Sequence, residues 1–138
     1  MTIGESIYKV VISGGFDPVH FGHIRLIQEA SQLGDLTVIL NDDEFLMRKK
    51  GFVFMPLIER REILENIKGV SRVVVSMDND QSVNKTIEYL KPDIFCTGGD
   101  VTLDKIREQE TCDRIGCKIL LNVGGDKIQS SQWLTNKL

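Results

Sequence analysis

Histidine is scarce in this 138-residue sequence: there are only two, alongside three cysteines, three prolines and one tryptophan. Both histidines fall in one stretch, SGGFDPVHFGH (13–23). Without a third histidine, a zinc centre would lack an obvious ligand set. Acyl-transfer machinery of the Ser-His-Asp or Cys-His kind would have to borrow from that same turn. The three cysteines, Cys96, Cys112 and Cys117, are odd in number and contain no Cys-x-x-Cys pair, so buried reduced thiols are expected rather than a disulfide framework. A basic surplus is also missing, with 17 Lys and Arg against 20 Asp and Glu, which argues against nucleic acid as the partner. No run approaches the roughly 18 apolar residues of a membrane span, and MTIGESIYKV has no basic start leading into an apolar segment. A cytoplasmic protein that does not bind membrane is the expectation.

What is present is ordinary globular composition, 41% hydrophobic and 27% charged, at a length suited to one domain over residues 1–138. Short β-branched runs alternate with stretches of helical period. The runs at 8–13, 36–40, 72–76, 93–97 and 118–123 read as strands buried on both faces. Helices are expected over 21–33, 57–68, 82–90, 104–115 and 130–137. This alternation predicts a doubly wound α/β domain with a five-stranded parallel sheet and helices on both faces. The stretch NDDEFLMRKKGFVFMP (41–56) reads as one long connection, of the length that more often carries function. Ligands in such sheets bind beyond the carboxyl ends of the strands.

The first of those ends is the histidine stretch. Gly14 and Gly15 permit a tight turn and close backbone approach, and a helix beginning near His20 offers its positive dipole end to an anion. His20 and His23, three apart, share a helical face with Gly22 between them, so both can point at one phosphate. The dipole disfavours protonated imidazole, which predicts neutral rings each donating one N–H. Three alternatives stand beside this reading: a metal pair, core histidines with satisfied hydrogen bonds, and a helix cap. Neither a Walker loop nor a Gly-x-Gly-x-x-Gly fingerprint is present.

Gly14, Phe16, Asp17, His20, Gly22 and His23 together resemble the G-x-F-D-x-x-H-x-G-H signature of the cytidylyltransferase-like nucleotidyltransferases. Six fixed positions would coincide by chance on the order of once in 10⁸ windows, so the motif is specific. The segments at 33–45, RKKG and ERREILENIKGVSRVVVS are similar to glycerol-3-phosphate cytidylyltransferases and to the nucleotidyl domain of ADP-heptose synthase. SVNKTIEYLKPDIFCTGGD is closer to the latter. The resemblance implies a Rossmann-like fold and transfer of a nucleotidyl group from CTP or ATP to a phosphorylated sugar or polyol, with release of pyrophosphate. Mg²⁺ would come with the triphosphate, and a homodimer is compatible with the family. Archaeal flavin-adenylating enzymes are similar in the signature and the late serine pair, which keeps transfer to flavin mononucleotide open. A binding module that has lost turnover is the non-enzymatic alternative.

The resemblance also implies roles. His20 and His23 would contact the triphosphate; Lys50, with Lys49 in reserve, would close over it. Arg60 would contact phosphate, the alternative being an ion pair with a nearby acid. Gly14, Gly15, Phe16 and Gly22 would line the nucleotide. Gly98, Gly99 and Asp100 follow the fourth strand, where Asp100 either binds ribose or base or caps a turn. Ser130 and Ser131 match two hydroxyl positions of the Arg-Thr-Glu-Gly-Ile-Ser-Thr-Thr segment and are equally good N-caps. Lys127 stands where that segment has arginine. Asp17 is expected to orient the turn and not to act as a base.

Overall fold

The computed structural model describes residues 7–99 and 101–125. Five strands, β1 (Lys9–Gly14), β2 (Asp35–Leu40), β3 (Val70–Val75), β4 (Ile94–Cys96) and β5 (Lys118–Leu120), form one parallel sheet in the order β3-β2-β1-β4-β5. The helices are α1 (Phe21–Ser31), α2 (Asp43–Lys50), α3 (Leu57–Glu65), α4 (Asn84–Leu90) and α5 (Gln109–Ile115). The doubly wound expectation is met. Each strand lies within a few residues of its expected range; the helix expected over 130–137 lies outside the described residues.

Period-two alternation in buried strands builds the two layers. Val10 and Ile12 of β1, with Leu36, Val38 and Leu40 of β2, pack under Leu26, Ile27 and Ala30 of α1 and Leu64 of α3. Val11, Ile39 and Phe95 point the other way, against Val83, Ile87 of α4 and Cys112 of α5. One-residue steps therefore feed opposite cores, as the pleat requires.

Two expectations are corrected. The helix expected over 104–115 is broken into a 3₁₀ turn at Leu103–Lys105 and the shorter α5. The connection 41–56 is not all loop, because α2 occupies Asp43–Lys50. Its local signals are complete: Asp42 Oδ1 accepts from the Phe45 N–H at 2.9 Å, Asp43 and Glu44 open it, Arg48, Lys49 and Lys50 close it, and Gly51 ends it at φ 82°. It escapes a periodicity search because it buries only Phe45 and Leu46. No apolar stripe forms on so short an element.

α4 shows the opposite solution. Its own cap residue, Val83, has no side-chain cap bond. Asp78, buried after β3, accepts from the N–H groups of Lys85 (2.7 Å) and Thr86 (3.1 Å) instead. A carboxylate eight residues upstream of Thr86 thus satisfies the orphan donors of the first turn.

β1 runs on to α1 and β2 on one side, whereas β4 adjoins β1 from the other. The winding reverses between β1 and β4, and the crevice beyond their carboxyl ends is the expected ligand position. The turn after β1 and Gly98–Gly99 after β4 border it.

Candidate active site

The histidine turn is held by its own side chains. His20 caps α1, its Nδ1 accepting from the Gly22 N–H at 3.1 Å, and His23 Nδ1 accepts in return from the His20 N–H at 3.2 Å. The rings stack with centroids 3.8 Å apart and planes 18° off parallel. Accepting at Nδ1 fixes the tautomer: a neutral ring in this position carries its proton on Nε2. The capping alternative is therefore realised, through the Nδ1 edges of both rings.

Burial, and then the neighbouring His20, push the His23 pKa down from 6.5 to about 3. The ring stays neutral throughout the physiological range. In the unfolded chain it titrates near 6.5, so acid favours unfolding: the stability tied to neutral His23 is present above pH 6.5 and is lost as pH falls towards 3. Between pH 7 and pH 5 this removes about 2 kcal/mol. Urea unfolding of the wild type and His23→Gln over that interval should show the variant losing less stability by about this amount; parallel losses would place His23 in a different ionisation state.

Phe16 corrects an expectation. Its ring is buried in the first core cluster, 4.6 Å from the His23 ring, so it supports the histidine from beneath and does not line the nucleotide. Its φ of 50° is unusual for an aromatic residue and turns the chain sharply after Gly15. Protein atoms crowd the space beside the two glycines. A Cβ on Gly14 would lie 3.1 Å from the Phe16 ring, and one on Gly15 would lie 2.6 Å from Leu46 Cδ2 of α2. The Gly22 N–H is likewise engaged by His20.

Asp17 is buried and touches only protein in this site. Its carboxylate accepts from the N–H groups of Phe54 (2.7 Å) and Met55, tying the far end of the 41–56 connection to the turn. Lys50 closes the same knot: its Nζ lies 3.0 Å from Asp17 Oδ2, 2.9 Å from the Asp17 carbonyl oxygen, and over the Phe52 ring. The lysine is thus brought to the histidine turn and tethered there. Lys49 instead lies over Phe45 on the outer side of α2 and is exposed.

Arg60 is the second correction. It is completely buried. Nε donates to Met55 O at 2.8 Å, one terminal nitrogen donates to Gly15 O at 2.8 Å and Asn41 O at 2.7 Å, and the other pairs with Asp43 Oδ1 at 2.6 Å. The ion-pair alternative describes it, extended by three carbonyls. The planar fork fastens the β1 turn, the end of β2, the start of α2 and the entry to α3 into one piece. All three of its nitrogens are engaged by protein acceptors.

Asn41 and Asp43 were not singled out from sequence. Asn41 follows β2, its N–H donates to Gly14 O at 2.9 Å, and its Oδ1 is buried with no hydrogen-bond partner among the described residues. The cluster Asn-Asp-Asp after a buried strand is a visible polar interruption, but only the fold says which member faces Arg60.

Across the crevice, Asn122 after β5 bridges two loops. Its amide, oriented by its hydrogen bonds, donates to Gly125 O at 2.8 Å and to Gly99 O at 3.1 Å. Gly124 lies so close to α1 that a Cβ there would be 2.9 Å from the Leu26 nitrogen. Gly98 lies beside Leu26, midway along α1. Asp100, Lys127, Ser130 and Ser131 lie outside the described residues. Among the described residues, no group of three or more His, Cys, Asp or Glu could hold a metal ion, and no helix is long and apolar enough to cross a membrane.

The stacked His-x-Gly-His pair at a helix start, on the switch point of a 3-2-1-4-5 sheet, coincides with a match to the Cytidylyltransferase-like family over residues 11–130. This chain belongs to that family. Members of it are nucleotidyltransferases, and this protein is one: its substrates are a nucleoside triphosphate and a small-molecule acceptor. FAD synthase of Ferroglobus placidus is 34% identical over 110 residues, covering 80% of this chain and 71% of that protein. The bifunctional protein HldE of Geobacter sulfurreducens is 39% identical over 118 residues, covering 82% of this chain but only 24% of HldE. In three dimensions, the lipopolysaccharide core biosynthesis protein from Thermoplasma volcanium GSS1 matches with a TM-score of 0.71 at 26% identity, over 84% of this chain and 94% of that one.

Proposed function

We propose that this nucleotidyltransferase passes a nucleoside monophosphate from ATP or CTP to the phosphate of a phosphorylated sugar or polyol. The observation that carries the reading is the reciprocal capping of His20 and His23, which commits both Nδ1 atoms and leaves the proton of each neutral ring on Nε2. Two neutral donors at the positive end of α1 suit charge that grows on the α-phosphate oxygens in the transition state. The acceptor phosphate arrives ionised, attacks the α-phosphorus, and the bond to the β-phosphate oxygen breaks to release pyrophosphate. Such a step needs positioning and charge stabilisation rather than a protein base. Lys50 adds a cation beside the turn, Gly98 and Gly99 border the crevice, and the resemblance assigns Asp100, Ser130 and Ser131 to the same nucleotide. Mg²⁺ would enter on the triphosphate and neutralise its charge, held chiefly by phosphate oxygens and water.

A second reading, adenylyl transfer to flavin mononucleotide, is favoured by the likeness to FAD synthase and by Phe54, 45% exposed beside the Asp17 anchor. Pyrophosphate release from ATP and from CTP, measured against sugar 1-phosphates, glycerol 3-phosphate and flavin mononucleotide, separates the two. A sugar or polyol acceptor is expected to exceed the flavin in kcat/KM; turnover with flavin alone would establish the second reading. Triphosphate binding without pyrophosphate release from any acceptor would reduce the protein to a binding module.

A further inference from the structure

At the amino-terminal pole of the sheet, opposite the crevice, α5 ends and β5 begins within one tight turn. Gly116 closes the helix at φ 79°, its N–H returning to the Cys112 carbonyl, and the Cys117 N–H reaches that carbonyl as well, at 2.8 Å. This helix ending places the residue before the last turn beside the residue after the glycine, a contact that usually joins two apolar side chains. Here both positions are thiols. Cys112 is fully buried and Cys117 is 6% exposed, both within the cluster of Val11, Ile39, Ile87 and Phe95. The Cys117 thiol donates to the carbonyl oxygen of Lys118 at 3.8 Å. A disulfide needs Cα atoms about 4.4–6.8 Å apart, and a direct backbone hydrogen bond between the two residues keeps them close enough.

We propose that Cys112 and Cys117 are a peroxide-oxidisable pair that forms a reversible intramolecular disulfide, fastening α5 to β5. Cys112 is fully buried, whereas Cys117 keeps 6% of its surface open to solvent and is the sulfur an oxidant meets first. Cys117 is therefore the attacking sulfur. Its thiolate displaces hydroxide from hydrogen peroxide as the O–O bond breaks, giving a sulfenic acid, and the hydroxide takes up a proton to become water. Cys112 sulfur then attacks the sulfenic sulfur; the S–S bond forms, the S–O bond breaks, and the Cys112 proton leaves with the hydroxide as a second water. Two thiols and one peroxide become one disulfide and two waters, with two electrons passed from sulfur to oxygen. Cys96, whose thiol burial pushes up to about 11, packs in the other core cluster across the sheet and takes no part.

The full chain, treated with a few equivalents of hydrogen peroxide, tests this directly. Intact mass should fall by about 2 Da, and non-reducing tryptic mapping should join the peptide of residues 108–114 to that of 115–118. The melting temperature should rise by roughly 5 °C and return with dithiothreitol, while the pyrophosphate-release rate stays unchanged because the bridge lies at the far pole. Cys112→Ser should leave Cys117 as a sulfenic acid that dimedone traps. Recovery of both cysteines as free thiols, a bridge that includes Cys96 or a second chain, or a melting temperature that falls on oxidation would overturn the proposal.

Discussion

Replacing His20 by asparagine is expected to lower kcat by about 10²–10³-fold while leaving the fold intact. Asparagine is among the best helix-capping residues, so the bond to the Gly22 N–H can be kept, and α1 should start at the same place. What the substitution removes is the outer edge of the ring, the Nε2 donor that neutral His20 carries because Nδ1 is already accepting. It also removes the stacking surface for His23, 3.8 Å away. His20→Ala is a poorer experiment, since it loses about 1 kcal/mol of capping as well and mixes the two effects. Steady-state pyrophosphate release and a thermal melt on the same preparation check the expectation. A kcat within threefold of the wild type, at unchanged melting temperature, would mean that the paired rings are only a cap.

Arg60→Met should act almost entirely on stability. The guanidinium is completely buried and donates to the carbonyls of Met55, Gly15 and Asn41 besides its ion pair with Asp43. Asp43 keeps 46% of its side chain in water and can stay solvated without its partner, so the cost falls chiefly on the three carbonyls left without a donor, about 1–3 kcal/mol for each that is buried. A domain of this size has roughly 5–15 kcal/mol in total, so a fall of roughly 10–20 °C in melting temperature is expected, with some preparations unfolded at 37 °C. Arg60→Lys should recover less than half of that, because one ammonium cannot reproduce a planar fork aimed at three carbonyls. Circular dichroism melts and triphosphate binding below the melting temperature distinguish the roles. A normal melt with weakened triphosphate binding would restore the phosphate contact and require the side chain to swing out of the core.

The two variants also mark the limit of what could be read along the chain. The strand ends and the winding of the sheet were legible because each strand is a short β-branched run and each core helix a 3.6-residue stripe, signals that need no distant partner. The histidine turn was legible for the same reason: Gly14 to His23 is contiguous, and the reciprocal capping closes between residues two and three apart. α2 was missed although its caps are local, since a helix that buries two residues leaves no periodicity to find.

Arg60 and Lys50 belong to the other kind. Sequence established that two cations stand near a phosphate-type turn; whether each faces ligand or protein depends on contacts 45 residues apart from Arg60 to Gly15 and 33 from Lys50 to Asp17. Phe16 is similar, since only the packed core shows its ring turned inward under His23. Composition and motif by themselves determined the doubly wound sheet, the crevice at its carboxyl ends and the nucleotidyl-transfer chemistry of the turn. Tertiary structure alone decided which charged groups brace that turn from within, because a buried charge is stable only where folding delivers its partners.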